Sequence, residues 1–100
     1  MPMTADELRE SASNGSAPPE GLPETLVALW HDAGGDWQAA HDTAQEIPTA
    51  DGSWVHAYLH RKEGDISNAR YWYRRAYRPE FSGSLDDEWT EIASVLLSEL

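Results

Sequence analysis

The stretch "HAYLHRKEGDISNARYWYRR", residues 56 to 75, holds most of the side chains in this sequence that could do chemistry. His56 and His60 are four residues apart, so on a helix both imidazoles project from one face. His31 precedes them, and the three rings could converge if their helices are neighbours. Glu63, Asp32 or His41 would then add an oxygen or a fourth nitrogen. Neutral imidazoles with a carboxylate are the donor set of zinc or iron sites, and equally of a general acid/base pair. The plainer reading is that the histidines are structural and their ring nitrogens are satisfied by hydrogen bonds. No recognised metal signature such as H-E-x-x-H occurs, and the chain has no cysteine, so any metal would be held by His31, His56, His60 and Glu63 and no other cofactor is expected.

Other chemistries find less support. Tyr71, Trp72 and Tyr73 lie between Arg70 and Arg74-Arg75, a mixture that suits stacked bases and tracked phosphates. Three consecutive helical residues point in three directions, however, so they form no single platform. The formal net charge of −11 also opposes a polyanion partner. That charge is unevenly spread. Residues 61 to 78 hold six basic residues against two acids, and the rest of the chain holds one against sixteen. No serine or threonine has a nucleophile's surroundings, and Gly34-Gly35 reads as a helix end, not a phosphate loop.

The elements that must position these side chains follow from periodicity and punctuation. Forty per cent apolar residues with five tryptophans and four tyrosines exclude a disordered chain. Pro23 opens "LPETLVALWHDAGG", with Leu26, Leu29 and Trp30 at helical spacing. Asp36 caps "WQAAHDTAQEI", Ser53 caps "WVHAYLHRKE" up to Gly64, and Asp65 opens "ISNARYWYRRAYR". Ser84 opens the last helix, whose stripe is Leu85, Trp89, Ile92 and Leu96. "SWVHAYLH" has enough aromatic and β-branched content to keep a short strand as an alternative. Residues 1–21, rich in Ser, Pro and Glu, predict a mobile acidic tail, with one short helix at most where Thr4 and Glu7 have capping-box spacing. The absence of a long apolar run predicts neither an export signal nor a membrane span, and a cytoplasmic setting.

A 29-residue shift aligns "ALWHDAGGDWQAA" with "AYLHRKEGDISNA", with five of thirteen positions identical. These are Ala28 with Ala57, His31 with His60, Gly35 with Gly64, Asp36 with Asp65, and Ala40 with Ala69. They fall where a helix pair needs small residues at a close approach, a glycine to leave the first helix and an aspartate to cap the second. The spacing Ala57, Gly64-Asp65, Ala69, Tyr73, Ala76 resembles the tetratricopeptide repeat pattern, and "ARYWYRRA" is similar to the helix end of Sel-like repeats. The resemblance covers about half of the chain. The first unit departs from it, with Ala44 and Ile47 where the second has Tyr73 and Ala76, and the shift is shorter than the family's period of about 34 residues.

The resemblance implies an all-α fold: two stacked antiparallel helix hairpins, with repeat units about 22–48 and 51–79, and a C-terminal capping helix about 84–100, within one domain spanning 22–100. It also implies a groove between the first helices of the two hairpins. Thr25, Leu29, Asp32, Trp54, Tyr58 and Arg61 would line it, with Asp32 and Arg61 pairing across the stack. Such a groove makes the chain a small protein-binding or adaptor module for a peptide or a second copy of itself. A ligand- or metal-binding protein, or a small enzyme, using His31, His56 and His60 is the competing expectation.

Overall fold

The computed structural model describes residues 3–100, and five of the six helices among them begin where a side chain accepts from a free backbone N–H of the first turn, the exception opening at Pro23. In chain order the helices are α1 (Ala5–Asn14), α2 (Glu24–Ala33), α3 (Trp37–Gln45), α4 (Ala50–Glu63), α5 (Ile66–Ala76) and α6 (Leu85–Ser98). No strand occurs among the described residues, so "SWVHAYLH" is helix throughout. Among the described residues no helix is long and apolar enough to cross a membrane.

The caps explain the boundaries. Thr4 and Glu7 form a reciprocal capping box at α1. Asp36 accepts from the Ala39 N–H at 3.0 Å and Asp65 from the Asn68 N–H at 3.3 Å. Ser84 does the same for Asp87 at α6. The cap of α4 differs from expectation: Thr49, not Ser53, accepts from Gly52 N–H at 3.1 Å, so this helix starts a turn early. Gly52 permits that start, because a Cβ there would stand 2.6 Å from the Cβ of Ile47. Gly35 and Gly64 leave α2 and α4 with φ of 87° and 91°, which suit glycine.

α4 is the hub, packing on α2, α3, α5 and α6. Its residues from Gly52 to His60 are all buried, the pattern of a helix surrounded on every side. α6 lies against α1, α2 and α4, covering the face that the sequence reading left open as a groove. The Trp89 indole N–H donates to the Leu29 carbonyl at 3.0 Å in the interior, and Ile92 and Leu96 are buried as their spacing required.

The expected mobile tail requires correction. Residues 5–14 are helical and packed on α2 and α6, with Leu8 at 0% exposure. A ten-residue helix is marginal alone in water, so this one owes its order to tertiary contact. Ala5, Leu8 and Ala12 make a narrow apolar stripe. The Trp30 indole donates to Ser11 Oγ at 3.1 Å, and Arg9 lies over the Trp89 ring at 4.4 Å while donating to Thr90.

Candidate functional site

The cap at Asp36 fixes the phase of α3, and with it the face shared by Trp37 and His41, one turn apart. Trp37 ties that face to α4 by donating its indole N–H to the Leu59 carbonyl at 2.9 Å. The Trp37 ring also stacks on His41 at 4.9 Å. On α4, His56 and His60 stack on each other at 4.6 Å. Trp72 of α5 closes the far side, stacked on His56 with 4.0 Å between centroids. Three imidazoles from α3 and α4 thus lie between two indoles.

One ring nitrogen from each of His41, His56 and His60 lies within 4.8 Å of the others. Nε2 of His41 and Nε2 of His56 are 3.1 Å apart. A tetrahedral ion with bonds of about 2.0–2.1 Å separates its ligands by roughly 3.3 Å, so one edge is already at the required length. His60 Nδ1 faces Glu63 Oε1 at 3.3 Å, the contact by which a carboxylate orients a ligating imidazole, and Asn68 Nδ2 lies 3.5 Å from His60 Nε2. His41 Nδ1 is buried without a hydrogen-bond partner, with Asp42 Oδ1 4.0 Å away.

The electrostatics favour an uncharged ring at His56. Burial, and then the neighbouring His60 and His41, lower the pKa of His56 from 6.5 to about 4, so it is neutral at physiological pH. A neutral imidazole is the form that binds metal or accepts a proton. His41 and His60 bring their ring nitrogens to the same place.

The structure gathers only some of the residues expected from sequence. His56 and His60 are together as predicted, but their partner is His41 of α3. His31 of α2 is half-buried with its ring edge-on to Trp30. The repeat alignment made His31 the equivalent of His60 and so directed attention to α2, whereas α3 carries the third ring to α4. The overlooked signal was the pair Trp37 and His41, with the same four-residue spacing as His56 and His60. Glu63 sits behind His60. Together with Asp65 these two form a second, more exposed carboxylate–imidazole group, but Asp65 is committed to capping α5.

The residues expected to line a groove are in the interior. Leu29, Asp32, Trp54 and Tyr58 are 0–4% exposed. Tyr58 donates its hydroxyl to Asp32 at 2.6 Å, and Lys62 pairs with the same carboxylate at 2.9 Å. Arg61 does not meet Asp32; it pairs at 2.9 Å with Glu88 of α6, which also accepts from the Tyr73 hydroxyl. Burial and these carboxylates raise both phenols above the ordinary tyrosine range, so they stay protonated donors. Burial likewise raises Glu88, with Tyr73 and Arg61 opposing the shift. Trp54 carries Arg78 over its face at 3.8 Å. Beside Asp32 and Tyr58 there is a cavity of about 180 Å³ between α1, α2, α4 and α6, below the usual size of a drug-like ligand site and far short of a peptide groove.

Arg70 of α5 pairs with Glu80 at 3.0 Å. Of the three consecutive aromatics, Tyr73 is buried, Trp72 half-buried on His56 and Tyr71 exposed, as three directions on one helix demand.

Comparison with protein-family models, with curated proteins and with solved structures finds no match for the chain.

Proposed function

We propose that this protein binds a divalent first-row transition metal, zinc in the first instance, through His41, His56 and His60. The observation that carries the proposal is the convergence of three ring nitrogens within 4.8 Å in a packed setting. Imidazole suits zinc, copper, nickel and iron alike, and a three-histidine set with one free position is that of catalytic rather than purely structural zinc. Packing arguments support the same reading. As a core without an ion, the cluster sets polar rings where aliphatic ones would fill the space more cheaply. Glu63 supplies the outer carboxylate that ligating histidines use.

The test is native mass spectrometry with elemental analysis on untagged protein. One metal per chain is expected for the wild type and none for His56→Ala/His60→Ala. An apo mass for the wild type after exposure to equimolar Zn²⁺ would overturn the proposal.

The tetratricopeptide-like reading of the fold belongs to this proposal as its scaffold. It is supported by the matched backbone at Gly35 and Gly64, by the matched caps Asp36 and Asp65, and by burial of Ala28, Ala40, Ala57 and Ala69 at 0–2% exposure. A protein-binding or adaptor role is the second reading, and its groove is already filled by α6. The surface left for a peptide or a second copy is the outer side of α5, where Tyr71 and Tyr77 are 44% and 88% exposed beside Arg74 and Arg75. Size-exclusion chromatography with light scattering tests the second-copy form: a concentration-dependent dimer lost in Tyr71→Ala/Tyr77→Ala is its expected result, and a monomer throughout removes it.

A further inference from the structure

His56 belongs to two places at once. Its ring is part of the imidazole cluster, and it also lines a cavity of about 230 Å³ between the α3–α4 link and α5. Gln45, Ser53, Trp72, Arg75 and Tyr77 are among the other walls. Ile47, Pro48 and Ala50 give it an apolar side, and Gln45, Ser53 and Arg75 offer an amide, a hydroxyl and a guanidinium.

Arg75 is the informative member. The chain has eighteen acids for seven basic residues, and Arg61, Lys62 and Arg70 each hold one of those acids. Arg75 has no carboxylate partner among the described residues. Its Nη1 donates to the Tyr71 hydroxyl at 3.3 Å, and its guanidinium lies over the Trp72 ring at 5.5 Å. Trp72 is in turn stacked on His56, so one indole steadies both the arginine and the imidazole. A planar fork of donors held at the rim of a cavity that borders a three-histidine site is the arrangement that binds a carboxylate.

We propose that this cavity is the vestibule of the metal centre, and that it takes a small carboxylate-bearing ligand whose anionic group is shared between the open position on the ion and the Arg75 guanidinium. This rests on the metal-binding reading above. The volume limits the ligand to less than drug size, and the polar walls supply hydrogen bonds for its remaining groups.

The experiment uses the full chain loaded with Co²⁺, whose visible absorption reports the number of its ligands. Acetate is the probe and acetamide the neutral control. One equivalent of Co²⁺ should bind. Acetate should then change the visible bands saturably and acetamide should not. Arg75→Ala should weaken acetate binding by about tenfold or more, with Arg75→Lys between the two, and without loss of Co²⁺. Bands indifferent to acetate in a Co²⁺-loaded protein overturn the vestibule alone, as does equal acetate affinity in wild type and Arg75→Ala. Failure to take up Co²⁺ overturns the metal reading and the vestibule with it.

Discussion

His56 gives a pH prediction whose size follows from its surroundings. Its ring is stacked on Trp72 of α5 and His60 of α4 and meets His41 of α3, and its pKa is held near 4 against 6.5 in a solvated chain. Between those values the unfolded state binds a proton that the folded state refuses, so stability rises with pH across that window. The contribution is fully present above 6.5 and drains away as pH falls toward 4. With about 1.36 kcal/mol per pKa unit, the loss is about 2 kcal/mol between pH 7 and pH 5 and about 3 kcal/mol by pH 4. Urea denaturation of chelator-treated protein at pH 7, 6, 5 and 4 measures it. The comparison is His56→Phe, which keeps an aromatic ring against Trp72 without a titrating group. Subtracting the two curves removes the background of the carboxylates. A difference that falls by about 2 kcal/mol from pH 7 to pH 5 is expected, and a difference flat across that range would refute the burial of a neutral His56. In the presence of Zn²⁺ the wild-type curve should steepen further, because protons then compete with the ion for the rings.

Other substitutions test the packing that holds the site. Leu8→Ala should cost about 2–5 kcal/mol by urea denaturation, since Leu8 is fully enclosed; a loss near zero would restore the mobile tail. Glu88→Ala should lower stability by about 3–5 kcal/mol, because it strands Arg61 and the Tyr73 hydroxyl beside a buried void, and thermal unfolding reads it directly. Gly52→Ala is the sharper test, since helix propensity alone favours alanine by about 1 kcal/mol. The contact with Ile47 predicts a net loss of about 1–3 kcal/mol, and a stabilised variant would show that the start of α4 is misplaced.

Much of the helical plan was legible because capping and breaking residues act locally. Asp36, Asp65, Ser84 and the glycines at 35 and 64 mark boundaries in the sequence and mark them again in the structure. What could not be read is where whole elements pack. Nothing local in "MTADELRESASN" distinguishes a fraying helix from one that buries Leu8 under α2 and α6, since the deciding contacts lie outside the segment, such as Ser11 with Trp30 and Arg9 with Thr90. The same applies to α6. Its apolar stripe announced burial, but the groove it fills was assigned to a partner. Trp54 and Tyr58 therefore went from expected contact residues to core. The imidazole cluster was half legible. Spacing within α4 joined His56 to His60, whereas the third ring depended on which helix lies beside α4, and internal similarity pointed to His31 where packing supplied His41.

The most direct test of the metal-binding account is calorimetric titration of Zn²⁺ into chelator-treated wild type, His41→Ala and His31→Ala. The account predicts one equivalent bound by wild type and by His31→Ala, and no comparable binding by His41→Ala. No uptake by wild type, or uptake that survives in His41→Ala and disappears in His31→Ala, would contradict it.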